Sequence, residues 1–147
     1  MIGMNINQAK SMFFDRPKVM RMIDRTTAKT FSRFGSYTRT VARNSMKKGG
    51  PGKVSAPGNP PLYHTRLLKD GIYYAFDPAA RSVVIGPVRL NTPSPTGTSQ
   101  TVPELLEHGG AVRRDGRLRM YRPRPYMGPA RVAAEKKLPE FWRRAAA

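Results

Sequence analysis

Pro17-Lys-Val-Met-Arg-Met-Ile-Asp-Arg-Thr-Thr-Ala-Lys-Thr-Phe-Ser-Arg-Phe-Gly-Ser-Tyr-Thr-Arg-Thr-Val-Ala-Arg-Asn-Ser-Met-Lys-Lys48 is the stretch that decides the fold. Pro17 suits a first helical turn, Asp15 stands where it can accept a free N–H, and Gly49-Gly50-Pro51 stops the run. At about 100° per residue, Met20, Ile23, Phe31, Phe34, Val41 and Ala42 gather on one side. Lys18, Arg21, Arg25, Lys29, Arg33, Arg39, Arg43 and Lys47 fall on the other. The spacing predicts one long helix with an apolar face and a cationic face. Asp24 is its only acid and lies toward the apolar side, so an arginine from elsewhere is the expected partner.

An apolar helix face needs a cover, and the downstream sequence supplies short pieces. Residues 72–76 and 82–85 are rich in β-branched and aromatic side chains and are joined by Asp77-Pro-Ala-Ala80, a hairpin pattern. Pro103 to His108 reads as a short helix closed by Gly109-Gly110. Ala111-Val112 and residues 118–121 read as a further strand pair around the turn dipeptide Asp115-Gly116. Met127 to Arg144 reads as the last helix, interrupted near Pro139. Residues 1–16 form an N-terminal segment, while 47–61 and 88–101 read as flexible polar loops with little to bury.

These pieces fit one domain spanning all 147 residues. The expected class is α+β: a small twisted antiparallel sheet packed by the long N-terminal helix and a C-terminal helix. Phe31, Phe34, Ile72, Val84, Leu105, Leu106, Met127, Phe141 and Trp142 are the expected core.

Charge dominates the composition. The chain carries 27 Lys and Arg against nine Asp and Glu, a net charge of +18. Such a charge resists compaction and favours association with an anion, usually nucleic acid, with an anionic membrane surface or an acidic protein face as the alternatives. No cysteine is present, so disulfides, thiolate metal sites and cysteine nucleophiles are excluded. The N-terminus lacks a secretory pattern, and no apolar stretch approaches a bilayer span. The expectation is a protein assembled in the cytoplasm, with no membrane partner.

The candidate chemistry is thin. Glu104 and Glu107 sit three apart near His108 and Asp115, but read better as a helix first-turn acid and an arginine partner. His64 and His108 lack the neighbours of a triad. Gly49-Gly-Pro-Gly-Lys53 fails as a phosphate loop, with Lys47 where the leading glycine belongs and Val54 after the lysine. No catalytic residue, cofactor site or metal site is therefore expected. The cationic helix face exceeds what solubility requires, so an anionic partner is expected there. No helix-turn-helix, zinc-finger or RNA-binding signature accompanies it.

Several short motifs occur in a telling order. Gly58-Asn-Pro-Pro61 precedes Val83-Val-Ile-Gly86, then Leu106-Glu-His-Gly109, then Arg124-Pro-Tyr-Met-Gly-Pro-Ala130. The order resembles the tail-component family of tailed phages, the head–tail joining, neck or tail-completion proteins, over about residues 15–144. One departure is that Thr65 is followed by Arg66 where the family has a turn glycine. Within these motifs Glu107, ahead of Gly109-Gly110, is expected to pair with Arg124, with Pro125 and Pro129 stiffening the helix entry and Tyr126 and Met127 as its apolar plug.

The resemblance implies a closed homo-oligomeric ring, hexameric by preference, in the virion neck. Its neighbours would be head-connector and tail proteins, with genomic DNA passing through the channel. Arg21, Arg25, Lys29, Arg33, Arg39, Arg43, Lys47, Lys48, Lys53 and Arg89 are the expected contacts to DNA or to acidic neighbours. The alternative is a cytoplasmic protein that binds nucleic acid without sequence preference through the same basic helix face.

Overall fold

The computed structural model describes residues 15–88, 101–114 and 116–147. Arg89 and most of the 88–101 segment lie outside the described residues, as do residues 1–14 and Asp115.

Helix α1 spans Arg16–Ser45. Its N-cap is Asp15, whose carboxylate accepts the Lys18 N–H at 3.1 Å. It ends before Lys47 because Met46 turns extended and is buried in the core. A short α2, Leu67–Asp70, leads into β1, Ile72–Asp77, which pairs antiparallel with β2, Ser82–Pro87. Arg66 precedes α2 at φ −77°, a conformation open to any residue, so the turn needs no glycine there. Helix α3 spans Val102–His108, and β3, Gly110–Arg114, pairs antiparallel with β4, Arg117–Tyr121. The chain closes with α4, Met127–Glu135, and α5, Leu138–Ala146, with Pro139 in the first turn of α5.

The α+β class is as the sequence indicates. The strands, however, form two separate two-stranded hairpins rather than one sheet. Helix α1 is the common support, packing against β1, β2, α4 and α5. The residues that permit this are small. Gly35 lets β1 approach so closely that a Cβ there would stand 2.6 Å from the Tyr74 ring. Thr27, Thr30, Thr38 and Ala42 are buried on the same helix, facing partners that include the buried Ala130 and Ala134 of α4. The main cluster is Ala42, Met46, Ile72, Tyr126 and Ala130, flanked by Leu68, Leu106 and Met127. Phe31 stacks on Phe76 at 6.2 Å, and Tyr37 meets Phe141 edge-on at 5.6 Å.

Two expected core residues are exposed. Val84 is 67% exposed because strand alternation sends Val83 and Ile85 toward α1 and α4 and Val84 outward. Trp142 is 44% exposed because α5 turns its neighbour Phe141 toward α1 instead.

Asp24 finds the expected arginine from outside its own helix. Arg81 reaches it from the β1–β2 turn, with nitrogen and oxygen 2.9 Å apart. Arg81 holds a left-handed φ of 47°, while Asp77 accepts the Ala79 and Ala80 N–H groups to shape that turn. Residues 47–61 do not project freely. Lys47 and Gly49 exchange main-chain hydrogen bonds with Tyr63, Gly58 N–H donates to the Pro123 carbonyl at 2.9 Å, and Pro61 is buried.

Candidate functional site

The Glu107 carboxylate is the most heavily used acid in the described chain. It accepts the N–H groups of Tyr126 and Met127 at 3.0 Å each, and of Gly128 at 2.7 Å. These are free amides at the start of α4, so Glu107 acts as an N-terminal cap delivered from another helix. The expected pairing with Arg124 does not form. Arg124 instead donates through Nε to the Ser55 carbonyl at 2.9 Å, while its own N–H donates to the Leu106 carbonyl at 2.6 Å. The reason is geometric: α3 ends over the first turn of α4, and three convergent N–H groups out-compete one side chain.

Gly109 makes the turn that brings Glu107 there. It sits at φ 71°, and a Cβ would stand 2.8 Å from the Tyr121 carbonyl oxygen. Gly110 follows at φ 149° and starts β3. Pro125 is half-buried and Pro129 exposed, and both lie at the α4 entry as expected. Glu104 belongs to a capping box: Thr101 N–H donates to its carboxylate at 2.9 Å. His108 is exposed, and His64 lies against Gly49. Among the described residues no three His, Asp or Glu side chains gather as a metal site.

Tyr126, buried beneath this clasp, has its hydroxyl pushed well above the ordinary tyrosine range, first by burial and then by the Glu107 charge. The fold therefore favours neutral Tyr126, and that contribution to stability is complete below about pH 10. It is lost as pH rises through the folded value. Alkaline titration of the melting temperature is expected to fall above about pH 10, and Tyr126→Phe to flatten that fall. An identical fall in the variant would assign it to another group.

The candidate cations divide into distinct sets. Arg21, Arg25, Lys29 and Arg33 are exposed on α1 and have no carboxylate partner among the described residues. Arg33 also lines a cleft with Tyr37, Phe141 and Arg144. Arg39 and Arg43, read from the sequence as part of the same face, are structural. Arg39 lies over the Tyr74 ring at 5.1 Å, and Arg43 donates to the carbonyls of Asp70 at 2.6 Å and Ile72 at 3.0 Å. They differ from Arg21 and Arg25 because they stand beside Tyr74 of β1 and the carbonyls of Asp70 and Ile72. Lys47, Lys48 and Lys53 are exposed along the strapped segment.

Two groups escaped the sequence reading. One is an open groove of about 600 Å³ between α1, β2 and α4, lined by Phe34, Val83, Ile85, Met127, His108 and Arg131. The other is the arginine-rich hairpin β3–β4, whose residues 116–120 are all exposed. The density of arginine in 113–124 was the available signal.

Every described carboxylate is already engaged. Asp15, Asp77, Glu104 and Glu107 hold main-chain N–H groups. Asp24, Asp70, Glu135 and Glu140 pair with Arg81, Arg66, Arg131 and Arg144. The remaining described cations therefore have no Asp or Glu partner among the described residues, Arg113 aside. No helix among the described residues is long and apolar enough to cross a membrane. No family model, no curated protein and no solved structure matches this chain.

Proposed function

We propose that this chain is a structural subunit of a tailed-phage neck, forming a ring that joins the DNA-filled head to the tail. The ring is hexameric by preference, lines or seals the DNA channel, and performs no chemistry. Its place is the virion, at the head–tail interface, after assembly in the host cytoplasm. The observation that carries this reading is the clasp. The two motifs that resemble the family most, Leu106-Glu-His-Gly109 and Arg124-Pro-Tyr-Met-Gly-Pro-Ala130, meet in space through Glu107 and the α4 amides. A rigid joint built by such motifs suits a load-bearing subunit.

Uncovered apolar surface supports the same reading. The outer face of β1–β2 presents Tyr73, Ala75 and Val84 to solvent, and two-stranded hairpins with free edges favour association. The unanswered cations call for DNA or acidic neighbours. They equally favour the alternative, a nucleic-acid-binding protein of the cytoplasm, which predicts tight DNA or RNA binding without a ring.

Mass separates the two. Native mass spectrometry of the chain assembled with its neighbouring connector proteins is expected to show multiples of 16.4 kDa, six by preference. The chain is also expected in purified phage particles that carry its gene. Its absence from those particles would overturn the neck reading.

A further inference from the structure

We propose that the β3–β4 hairpin is an arm that binds the backbone of duplex DNA, with Arg117, Arg119 and Arg122 as its phosphate contacts. The inference goes beyond the neck reading, since duplex binding by the chain tests it whether or not the chain is found in particles.

The arm begins at the clasp. Gly109 turns the chain, and β3 and β4 run out with Val112 opposite Arg119 and Ala111 opposite Met120. The base is held: Gly110, Ala111, Val112 and Tyr121 are partly buried. Beyond it, residues 116–120 are exposed on both faces, so this part of the ribbon is uncovered among the described residues. An isolated two-stranded ribbon is marginally stable in water and gains from a partner.

Alternation gives the two faces different chemistry. Arg117 and Arg119 share one face with Val112 and Tyr121, and Leu118 and Met120 share the other with Ala111 and Arg113. Arg122 follows directly, also exposed. Six arginines fall within residues 113–124, and the only acid there is Asp115. Arg124 is spent on the Ser55 carbonyl, but Arg117, Arg119 and Arg122 have no carboxylate partner among the described residues.

A second copy of the chain is a poor match for this charge, since it brings the same +18 and its described Asp and Glu side chains are already engaged. A polyanion is the better match, and the ribbon's dimensions favour one. The major groove of B-DNA is about 12 Å wide and admits a two-stranded β-ribbon between its two phosphate rows. The side chains are arginine, whose planar fork donates two hydrogen bonds to a phosphate where lysine offers a point charge. No described acid on the arm opposes that approach.

The test uses the full chain and a fluorescently labelled mixed-sequence duplex, with affinity read by anisotropy between about 50 and 200 mM salt. Each phosphate contact adds about 0.9 to the slope of log affinity against log salt. R117Q/R119Q/R122Q is expected to lower that slope by about 2–3 and to weaken binding more than tenfold at the lower salt. These residues are exposed, so circular dichroism and melting temperature should match wild type. L118S/M120S, on the face opposite Arg117 and Arg119, should keep the wild-type slope. An unchanged slope in the arginine variant overturns the proposal. So does a slope lost only when Arg21, Arg25 and Lys29 are replaced by glutamine, which would place DNA on α1. Loss of self-association in L118S/M120S with no change of slope in the arginine variant would make the arm a protein-docking element instead. Neither result bears on whether the chain occurs in particles.

Discussion

Glu107→Ala is expected to lower the melting temperature by roughly 10 °C, the largest effect of any single acidic residue among those described. Hydrogen bonds to a charged group contribute about 1.5–3 kcal/mol each, and leaving part-buried donors unmet adds a penalty. Three such bonds end on this one carboxylate. Allowing for non-additivity, the loss is about 3–5 kcal/mol, a large share of a small domain's stability. Glu107→Gln keeps one acceptor oxygen and is expected to lose about half as much. Glu104→Ala is the control, since its capping box is exposed and such caps contribute about 1 kcal/mol. Equal losses in the two alanine variants, measured by urea unfolding, would refute the clasp. The consequence reaches past stability, because the clasp fixes α4 against α3 and so sets the root of the β3–β4 arm.

The second large effect is on assembly. On the proposed neck reading, reversing Arg25, Lys29 and Arg33 together to glutamate is expected to cut the yield of infectious particles by orders of magnitude while the subunit still folds. All three are exposed and lack a carboxylate partner among the described residues. Surface substitutions of this kind usually move stability by less than about 0.5 kcal/mol each. Reversal also relieves repulsion along α1, so the melting temperature should hold or rise. Arg39 and Arg43 provide the contrast. Reversing Arg43 would bring a carboxylate against the carbonyls of Asp70 and Ile72 and is expected to unfold the junction of α1 with β1. Free heads and free tails from the triple variant would place its defect at joining. Wild-type particle yields would return these side chains to the role of a solvated surface and remove the support they lend to a DNA or acidic-protein contact.

Residues whose roles depend on neighbours in sequence were legible without coordinates. The Asp15 cap, the long amphipathic run, the β1–β2 turn and the break before Pro139 rest on local preferences that act within a few residues. Strand alternation was also available in principle. It would have turned Val84 outward had Val83 and Ile85 been taken as the inward pair.

The fates of charged and polar groups were not legible, because they depend on which donors and acceptors the fold brings together. Glu107 reads as an arginine partner until α3 is seen to end over three free amides of α4. Arg25 and Arg43 share a helical angle, yet one is exposed and the other meets two carbonyls, because the entry to β1 passes only the second. Segment 47–61 looks loose by composition and is fastened through main-chain bonds, which leave no trace in side-chain pattern. Local patterning thus determined the helices, the hairpins and the excess of positive charge. Only the tertiary arrangement decided which of those charges are satisfied inside and which remain for a partner, since an ion's environment is set by what packs around it in space.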